Sequence, residues 1–416
     1  MARSKIDEGD FQPEWIEQEL QKALRRDGAR LLGGLIGQAA GKQTLKPAPG
    51  QRCFRRPLTI VSVFGKTTFL RQWIYDPAKG GGHAPFDQKL GLVRGHTWSA
   101  AKLMCRAAAR GGYLNAASDL LAFAGIEICY RQIHRVVNDL GPGARAFFRE
   151  PPREAPQGAP VPVFYIEMDG VSVPVLKKEV RGRPGKQPDG SARTREAKIG
   201  CVFTQHHTDP RTGKAWRDVD STSYVAGIEP AAEFGSLLKT EARRRGLGLA
   251  RTVVVIGDGA EWIWKQAGDK FPCAVQIVDY YHACEHLADL ARLIAPDDCQ
   301  QLLKRWKKQL LNSQVGKILS HARSKKADAV DPAQVEQQLG YFENNRKRMR
   351  YKSFRQKGYF IGSGVVEAGC RTVVGQRLKQ SGMFWSVAGA NNLVAFRCAL
   401  LSRRFEDLCD QLKDAA

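Results

Sequence analysis

The chain has 416 residues and carries 65 Lys and Arg against 42 Asp and Glu, a formal net charge of +23. Such a field favours a polyanionic partner, and nucleic acid is the class that fits best. No run of about 18 apolar residues occurs, and the first residues lack the apolar centre of a signal peptide, which argues against a membrane protein or an exported one. Composition therefore predicts a soluble, cytoplasmic protein that binds nucleic acid, with two or three domains.

The ten Cys are spread along the chain without any C-x-x-C pair. This spacing fits neither a disulfide framework nor a zinc ribbon, and it predicts reduced thiols. Cys201 and Cys398 lie in apolar strings, where a thiol behaves as a small core hydrophobe. We therefore expect both to be buried.

The N-terminal part begins with two recognisable patterns. Apolar residues at helical spacing from 13 to 40 predict one long helix, and the alternating stretch 56–77 around Gly65 and Lys66 predicts a β-hairpin. The "GKTT" at 65–68 invites a phosphate-loop interpretation. That motif needs an earlier Gly, and position 60 is Ile, so the NTPase interpretation is weak.

Residues 97–140 have helical periodicity throughout. A break at Gly125 gives the segment near 113–140 the spacing of a helix-turn-helix. Its second helix is expected to expose Arg131 and Arg135, which suit phosphates and base edges, while Ile133 and Val137 face the first helix. A plain helical hairpin is an equally good interpretation of this segment.

Composition changes after residue 140. The stretch 141–160 is rich in Pro and Gly and lacks periodicity, which predicts a linker. Three strand patterns and then alternating helix and strand patterns predict an α/β domain with a mixed sheet over 161–416. From about 287 to 358 the pattern is wholly helical and basic, as expected for an insertion. Residues 1–140 would then form a separate, mainly helical nucleic-acid-binding region.

Three carboxylates stand where folds place functional groups. Asp169 follows "VFYIEM" and Asp258 follows "TVVVIG", so each is expected where a buried strand meets solvent, although Asp-Gly is also ordinary turn chemistry. Glu367 comes one position too late for a capping box starting at Ser363, and an ion pair with Arg371 is its other possible use. Together the three carboxylates suit two Mg²⁺ ions and phosphoryl transfer.

The stretch "HACEH" at 282–286 fits H-x-x-E-H, a zinc-peptidase pattern in which two His hold the metal. A five-residue motif has a high false-positive rate. The zinc alternative would require zinc bound at His282 and His286.

Six stretches occur in a distinctive order: "EMDG", "GRPGKQ", "REAKIGCVFT", "VVVIGDGAEWIW", "FPCAVQIVDYYHACEHL" and "GSGVVEAGCRTVVGQRLKQSGMFWS". Together they resemble the ISKra-type bacterial insertion-sequence transposases, which are DDE transposases akin to the Mutator-like group. The resemblance covers nearly all of residues 161–400. The N-terminal 150 residues resemble the family more loosely.

The resemblance implies an RNase H-like catalytic domain with a helical insertion between the second Asp and the Glu. It assigns Asp169, Asp258 and Glu367 to a catalytic triad that holds two Mg²⁺ or Mn²⁺ ions. It also matches Asp279 and His282 to an Asp-x-x-His element, so His282 is expected beside the acids in a catalytic role. Family members often have a zinc ribbon before "APFDQKLGL", but its Cys are absent here, so we predict no structural zinc and leave open what holds that region.

Several basic residues are expected to contact DNA. The run 344–358 interleaves cations with Tyr351 and Phe354, which suits backbone tracking and base stacking, although a solvated face is the plainer interpretation. Further cations share the helix of Glu367, and Trp385 is expected in the core. The predicted DNA contacts are Arg131, Arg135, Arg346, Lys347, Arg348, Arg350, Lys352, Arg371, Arg377 and Lys379.

The resemblance thus implies a nucleoid-associated DNA transposase. Residues 1–140 would bind the terminal repeats of an insertion sequence, and the α/β domain would free a 3′-hydroxyl and join it to double-stranded target DNA. Aligning two DNA ends implies a homodimer or larger oligomer. The alternative is an inactive or domesticated DNA-binding protein derived from a transposase, and a zinc peptidase is a remote one.

Overall fold

The structure, a computed structural model, describes residues 13–43, 46–152, 154, 156–182, 193–212 and 215–415. The chain forms two compact units, Met1–Pro142 with Phe405–Ala416, and Gly143–Arg404. The expected α/β class is confirmed by a mixed sheet in the second unit. No helix in the described ranges combines the length and apolarity needed to cross a membrane.

The first unit is mainly helical, with one small antiparallel sheet in the order β1-β2-β3. Its elements are α1 (Pro13–Gly41), β1 (Arg52–Ser62), β2 (Gly65–Asp76), β3 (Gly81–His83), α2 (Pro85–Lys89), α3 (Trp98–Arg110), α4 (Tyr113–Ala124), α5 (Tyr130–Arg149, which continues into the second unit) and, at the end of the chain, α16 (Phe405–Asp414).

The predicted long helix and hairpin are both confirmed. The hairpin turns at residues 63–64, just before Gly65, because Ser62 pairs with Gly65. The "GKTT" residues lie on β2, where the hydroxyl of Thr67 donates to the carbonyl of Ala29 at 2.6 Å. A phosphate loop joins a strand to a helix, so this segment is not one.

The region around residues 84–92, before which family members often have a zinc ribbon, is held by contacts between side chains. The buried guanidinium of Arg71 forms a two-point ion pair with Asp87 at 2.8 and 3.0 Å. Ile60, Phe69 and Phe86 pack nearby in a hydrophobic cluster. A bidentate pair joins β2 to α2 across 16 residues, so it is one of the contacts that hold this part of the fold together.

Two helices stand where the helix-turn-helix was predicted. α4 ends at Gly125, whose φ is +61° and whose missing side chain makes room for the guanidinium of Arg25. After residues 125–129, α5 exposes Arg131 and Arg135 and buries Ile133 and Val137, as predicted. Their role as a DNA-binding pair rather than a plain hairpin stays a prediction.

Residues 141–149 are helical rather than part of a linker, which corrects the predicted segment 141–160. α5 passes through Pro142 and ends at Arg149. Phe147 and Phe148 lie three and four residues after Ala144, on one side of the helix, and all three are buried. Their burial outweighs the hydrogen bond that Pro removes. The α/β unit also stops at Arg404, since α16 belongs with the first unit.

The second unit contains the mixed sheet and the helices that flank it. Its elements are β4 (Val161–Pro174), β5 (Thr194–Thr208), β6 (Ala215–Arg217), β7 (Ser223–Gly227), α6 (Ala231–Arg244), β8 (Ala250–Gly257), α7 (Glu261–Lys270), β9 (Val275–Val278), α8 (Tyr280–Ile294), α9 (Cys299–Leu311), α10 (Val315–Ser324), α11 (Pro332–Asn345), α12 (Tyr351–Gln356), α13 (Gly364–Gly369), α14 (Gln376–Leu378) and α15 (Val387–Leu401).

The sheet order is β6-β5-β4-β8-β9, and β7 also pairs with β5. β4, β5 and β7 form the expected antiparallel meander, whereas β4, β8 and β9 are parallel. Side chains of β4 and β8 are buried on both faces, because helices cover the sheet. Cys201 and Cys398 are buried, as predicted.

The helical segment begins earlier than expected, at Tyr280 rather than about 287, and runs to Gln356 with short connections. It lies between the second Asp and the Glu in sequence, as the resemblance implied. Of the motif "GRPGKQ", residues 183–187 lie outside the described residues.

Candidate functional site

Two of the predicted acids stand side by side at one edge of the sheet. The parallel ladder between β4 and β8 ends with the pair Glu167 and Ile256. Asp169 and Asp258 each come two residues later, so they occupy equivalent places on strands about 4.8 Å apart. The register therefore brings together two carboxylates that are 89 positions apart in the sequence.

Asp169 does not end its strand, which corrects the sequence-based expectation. β4 continues to Pro174 because Asp169 pairs with Ile199 of β5. Its partial exposure has another cause: β8 stops at Gly257, and its ladder with β4 ends at Glu167, before Asp169 is reached. Asp258 does follow its strand directly, as predicted.

The two Asp line a cleft of about 250 Å³ together with Glu367. Its other lining residues are Met168, Tyr281, His282, Glu285 and Ser363. Among the described residues, the lining contains carboxylates and one His but neither Lys nor Arg. The fold thus brings the predicted triad and His282 together in one pocket that is rich in carboxylates.

Asp169 is held by its immediate surroundings. Its Oδ1 accepts the backbone N–H of Gly170 at 2.6 Å, and its Oδ2 accepts the thiol of Cys370 at 3.2 Å. Burial raises the pKa of Asp169, and the charge of Asp258 raises it further, while the two hydrogen bonds and His282 oppose that shift. This carboxyl group therefore favours its neutral form more than an exposed Asp does.

Asp258 opens a tight turn. Its Oδ1 accepts the N–H of Ala260 at 2.9 Å, and Gly259 adopts a φ of +112°. A side chain at Gly259 would meet the ring of Tyr341, whose hydroxyl donates to the carbonyl of Asp258 at 2.9 Å. Asp258 and Gly259 therefore form a turn, and the same turn places the carboxylate of Asp258 in the cleft. The structural and the functional interpretations of Asp-Gly are thus compatible.

Glu367 is exposed on the short helix α13, and no ion pair to Arg371 is among its described contacts. The hydroxyl of Ser363 lies 3.0 Å from its Oε1 and 2.8 Å from the Oδ2 of Asp279. A hydroxyl carries a single proton, so it can donate to only one of these carboxylates at a time. The hydroxyl of Ser363 thus lies between the carboxylates of Glu367 and the buried Asp279, within hydrogen-bond distance of each.

Asp279 is buried and caps α8 rather than lining the cleft. Its Oδ1 accepts the N–H of His282 at 2.6 Å, and its Oδ2 accepts the backbone N–H of Ser363. Its own N–H donates to the carbonyl of Gly257 at 2.8 Å. The Asp-x-x-His spacing is explained by this cap, which sets the position of His282.

Sequence reasoning missed Glu167. This residue is fully buried on the same strand face as Asp169, and burial raises its pKa to about 8. Its Oε2 accepts the N–H of Val366 at 2.8 Å, which ties α13 to β4. The "EMDG" motif contained the signal, because a charged residue inside a buried apolar strand needs a partner.

His286 takes no part in the cleft. Its Nδ1 lies 2.7 Å from the Oε1 of Gln338, and its ring stacks on Tyr341 at 3.7 Å. His282 instead has its Nδ1 3.2 Å from Glu285. Within the described residues, no three or more His, Cys, Asp or Glu already stand as a metal-holding group. The two His of "HACEH" therefore have different places, because His282 lines the cleft and His286 packs on Tyr341.

Most of the predicted DNA contacts are exposed, but Arg377 is buried and Arg348 is half-buried against other side chains. Arg377 is fully buried, with its guanidinium 5.2 Å from the centre of the Trp385 ring, so it is wrong as a DNA contact. Arg348 lies 4.5 Å from the centre of the Trp264 ring and bonds Gln276 at 2.7 Å. The remaining exposed members are Arg131, Arg135, Arg346, Lys347, Arg350, Lys352, Arg371 and Lys379.

The aromatic residues of the basic run are also internal. Tyr351 and Phe354 are buried, and the hydroxyl of Tyr351 donates to the carbonyl of Val278 at 3.0 Å. They cannot stack on bases, which corrects that part of the prediction. Trp385 is buried as expected, and its indole N–H donates to the carbonyl of Leu378 at 3.0 Å.

A second basic surface, which we call the insertion groove, was not predicted. It is a groove of about 670 Å³ within the helical segment, lined by four cations and two carboxylates: Lys304, Arg305, Lys308, Lys325, Asp298 and Asp328. None of the four cations has a carboxylate within 4.0 Å among the contacts of the described residues. The spacing 304, 305, 308 marks one face of α9 and could have signalled the groove.

Two comparisons with known proteins give the same result. No protein-family model matches the chain, and no curated protein matches it either.

Proposed function

We propose that this protein is a DNA transposase whose second unit cuts and joins DNA strands with the help of divalent metal ions. The observation that carries the proposal is the placement of Asp169 and Asp258 at equivalent positions on adjacent parallel strands, in one cleft with Glu367. The mixed sheet and the helical segment between Asp258 and Glu367 support the RNase H-like architecture that the resemblance implies.

The donor set of the cleft fits Mg²⁺ or Mn²⁺. Hard divalent cations prefer carboxylate oxygens, with water and substrate phosphate completing the shell. Asp169, Asp258 and Glu367 supply such oxygens, and no Lys or Arg of the described part of the chain lines the cleft to neutralise them. When bound, two such ions activate an attacking hydroxyl and stabilise the leaving oxygen of an in-line phosphoryl transfer.

The chain's own groups prepare the cleft for that chemistry. Cys370 and Gly170 donate to Asp169 and so favour its ionised form against the effect of burial. Ser363 orients Glu367, and Asp279 orients Ser363 and the start of α8. His282 lies beside the acids, where it can orient the attacking water or the 3′-hydroxyl by a hydrogen bond.

Nucleic acid as the partner is supported by charge placement. The insertion groove presents four cations, none of which has an ion pair among the described residues, and Arg371 and Lys379 are exposed beyond Glu367 in the chain. Phosphate contacts of this kind position a duplex without reading its sequence. Sequence recognition of terminal repeats is assigned to the first unit, through exposed Arg131 and Arg135.

The decisive experiment is strand cleavage by the purified full chain. The substrate is duplex DNA carrying the inverted repeats that flank this reading frame, incubated with Mg²⁺, Mn²⁺ or no metal. We expect metal-dependent nicks with 3′-hydroxyl ends and joined products. Asp258→Asn and Glu367→Gln should abolish both, whereas Glu261→Gln, an exposed acid after Asp258, should not. Cleavage that survives Asp258→Asn would overturn the proposal, and footprints without cleavage would favour the DNA-binding alternative.

A further inference from the structure

Helix α1 carries a line of exposed leucines. Leu20, Leu24, Leu31 and Leu35 are 57%, 63%, 65% and 65% exposed. At 100° per residue the four fall within an arc of about 60°, along roughly 22 Å of helix. Isolated exposed leucines are ordinary, but two leucine pairs aligned over this length mark an interaction surface, with Asp27 between the pairs and 3.5 Å from Arg30.

The opposite face of α1 is already occupied. Ala29 and Gly33 are buried there, and a side chain at Gly33 would meet the hydroxyl of Thr67 on β2. The helix therefore packs on the hairpin with its small residues and turns its leucines away from it. The apolar line has no partner among the described residues of the first unit.

We infer that this face binds the same face of a second copy of the chain, with the two α1 helices antiparallel. The spacing of the leucines, 4 then 7 then 4, reads the same in both directions. An antiparallel pair with a two-fold axis between Asp27 and Gly28 therefore sets Leu20 against Leu35 of the second copy and Leu24 against Leu31. Such a two-fold contact uses one self-complementary patch on both copies.

Charge selects the antiparallel arrangement. On the same face, Glu17 is exposed one turn before Leu20, and Lys42 is exposed just beyond the helix end. In the antiparallel pair Glu17 lies roughly one turn from Lys42 of the second copy, so opposite charges meet at both ends. A parallel pair would set Glu17 against Glu17 and Lys42 against Lys42. The helix dipoles also oppose each other favourably only in the antiparallel pair.

This inference does not depend on the proposed function, because it concerns self-association without DNA. The test is sedimentation velocity and light scattering of the full chain over about 1–100 µM. We expect a concentration-dependent dimer. Leu24→Asp with Leu31→Asp should raise the dissociation constant at least about tenfold, since each buried leucine contributes on that scale. Val330→Asp, at a residue 71% exposed in the second unit, is the matched control and should leave the dimer unchanged.

Charge exchange tests the orientation. Glu17→Lys and Lys42→Glu should each weaken the dimer, and the double variant should restore it. Circular dichroism checks the fold, which these exposed positions should not disturb. A wild-type monomer at about 100 µM, or a dimer unaffected by the leucine substitutions, overturns the inference. Failure of the double variant to restore the dimer overturns the antiparallel arrangement.

Discussion

The carboxylate of Asp279 accepts both the backbone N–H and the hydroxyl of Ser363, the latter at 2.8 Å. The same carboxylate caps α8 through the N–H of His282. The hydroxyl of Ser363 in turn lies 3.0 Å from Glu367. One buried side chain therefore joins the helix that presents His282 to the helix that presents Glu367.

Asp279→Asn should lower both stability and cleavage. An amide replaces one acceptor oxygen by a donor, which then faces the N–H of His282 or Ser363, so we expect a loss of about 2–4 kcal/mol in the free energy of unfolding. Asp331→Asn is the control, because Asp331 also caps a helix but is not fully buried, and it should cost less than the change at Asp279. Urea unfolding measures the stability of the two variants, and the strand-cleavage assay measures their activity. Equal effects would mean that burial of Asp279 adds nothing.

Glu167 should make stability fall as pH rises. Burial raises its pKa from 4.5 to about 8, so the folded state holds a proton that the unfolded state has released. The stabilisation is complete below pH 4.5 and is lost as pH rises through about 8, a change on the order of 5 kcal/mol for metal-free protein. Glu167→Gln should flatten this slope, because Gln cannot ionise but can still accept the N–H of Val366. If the free energy of unfolding changed equally with pH in the wild type and in Glu167→Gln between about pH 5 and 8, the raised pKa of Glu167 would be contradicted.

Cys370 should tune the pH dependence of cleavage. Its thiol donates to Asp169 and lowers the pKa of that carboxyl against the effect of burial. Cys370→Ala removes the donor, so the pKa of Asp169 should rise and the acid limb of the cleavage rate should move to higher pH. Cys370→Ser restores a donor and should move the limb back. Cys273→Ala, an exposed cysteine after α7, is the control. An acid limb at the same pH in all four proteins would rule out this role.

The insertion groove should contribute salt-dependent affinity for DNA. Replacing both Lys304 and Lys308 with Ala should weaken binding and make the slope of log affinity against log salt less negative, by about 0.9 for each phosphate that is no longer neutralised. Lys265→Ala removes an exposed cation of α7 that lies outside the groove and should change little. Fluorescence anisotropy at several salt concentrations gives the slopes. Identical slopes for the wild type and the groove variant would remove the groove from the DNA interface.

His286→Ala should destabilise the fold without changing metal content. The ring packs on Tyr341 and bonds Gln338, so its removal should cost roughly 1–3 kcal/mol. Elemental analysis should show the same zinc content as in the wild type. Stoichiometric zinc that disappears with His286 would instead revive the zinc-peptidase alternative.

Local pattern predicted the elements well where the pattern was long and regular. The helix at Pro13–Gly41, the hairpin and the alternating strands and helices around Asp258 follow from periodicity alone. The extension of α5 through Pro142 could not be predicted in this way. Three buried residues beyond the Pro keep that turn helical, and their burial depends on the packing of distant segments.

The sequence by itself singled out the candidate acids and the order in which they occur, because apolar strands followed by Asp-Gly are visible in a short window. Only the tertiary structure decided that Asp169 and Asp258 are neighbours, since strand register joins residues far apart in the chain. It also decided that Arg377 is buried and that Glu167 holds the helix of Glu367. A cation or carboxylate acquires such a role from what surrounds it, and in this protein those surroundings come from distant parts of the sequence.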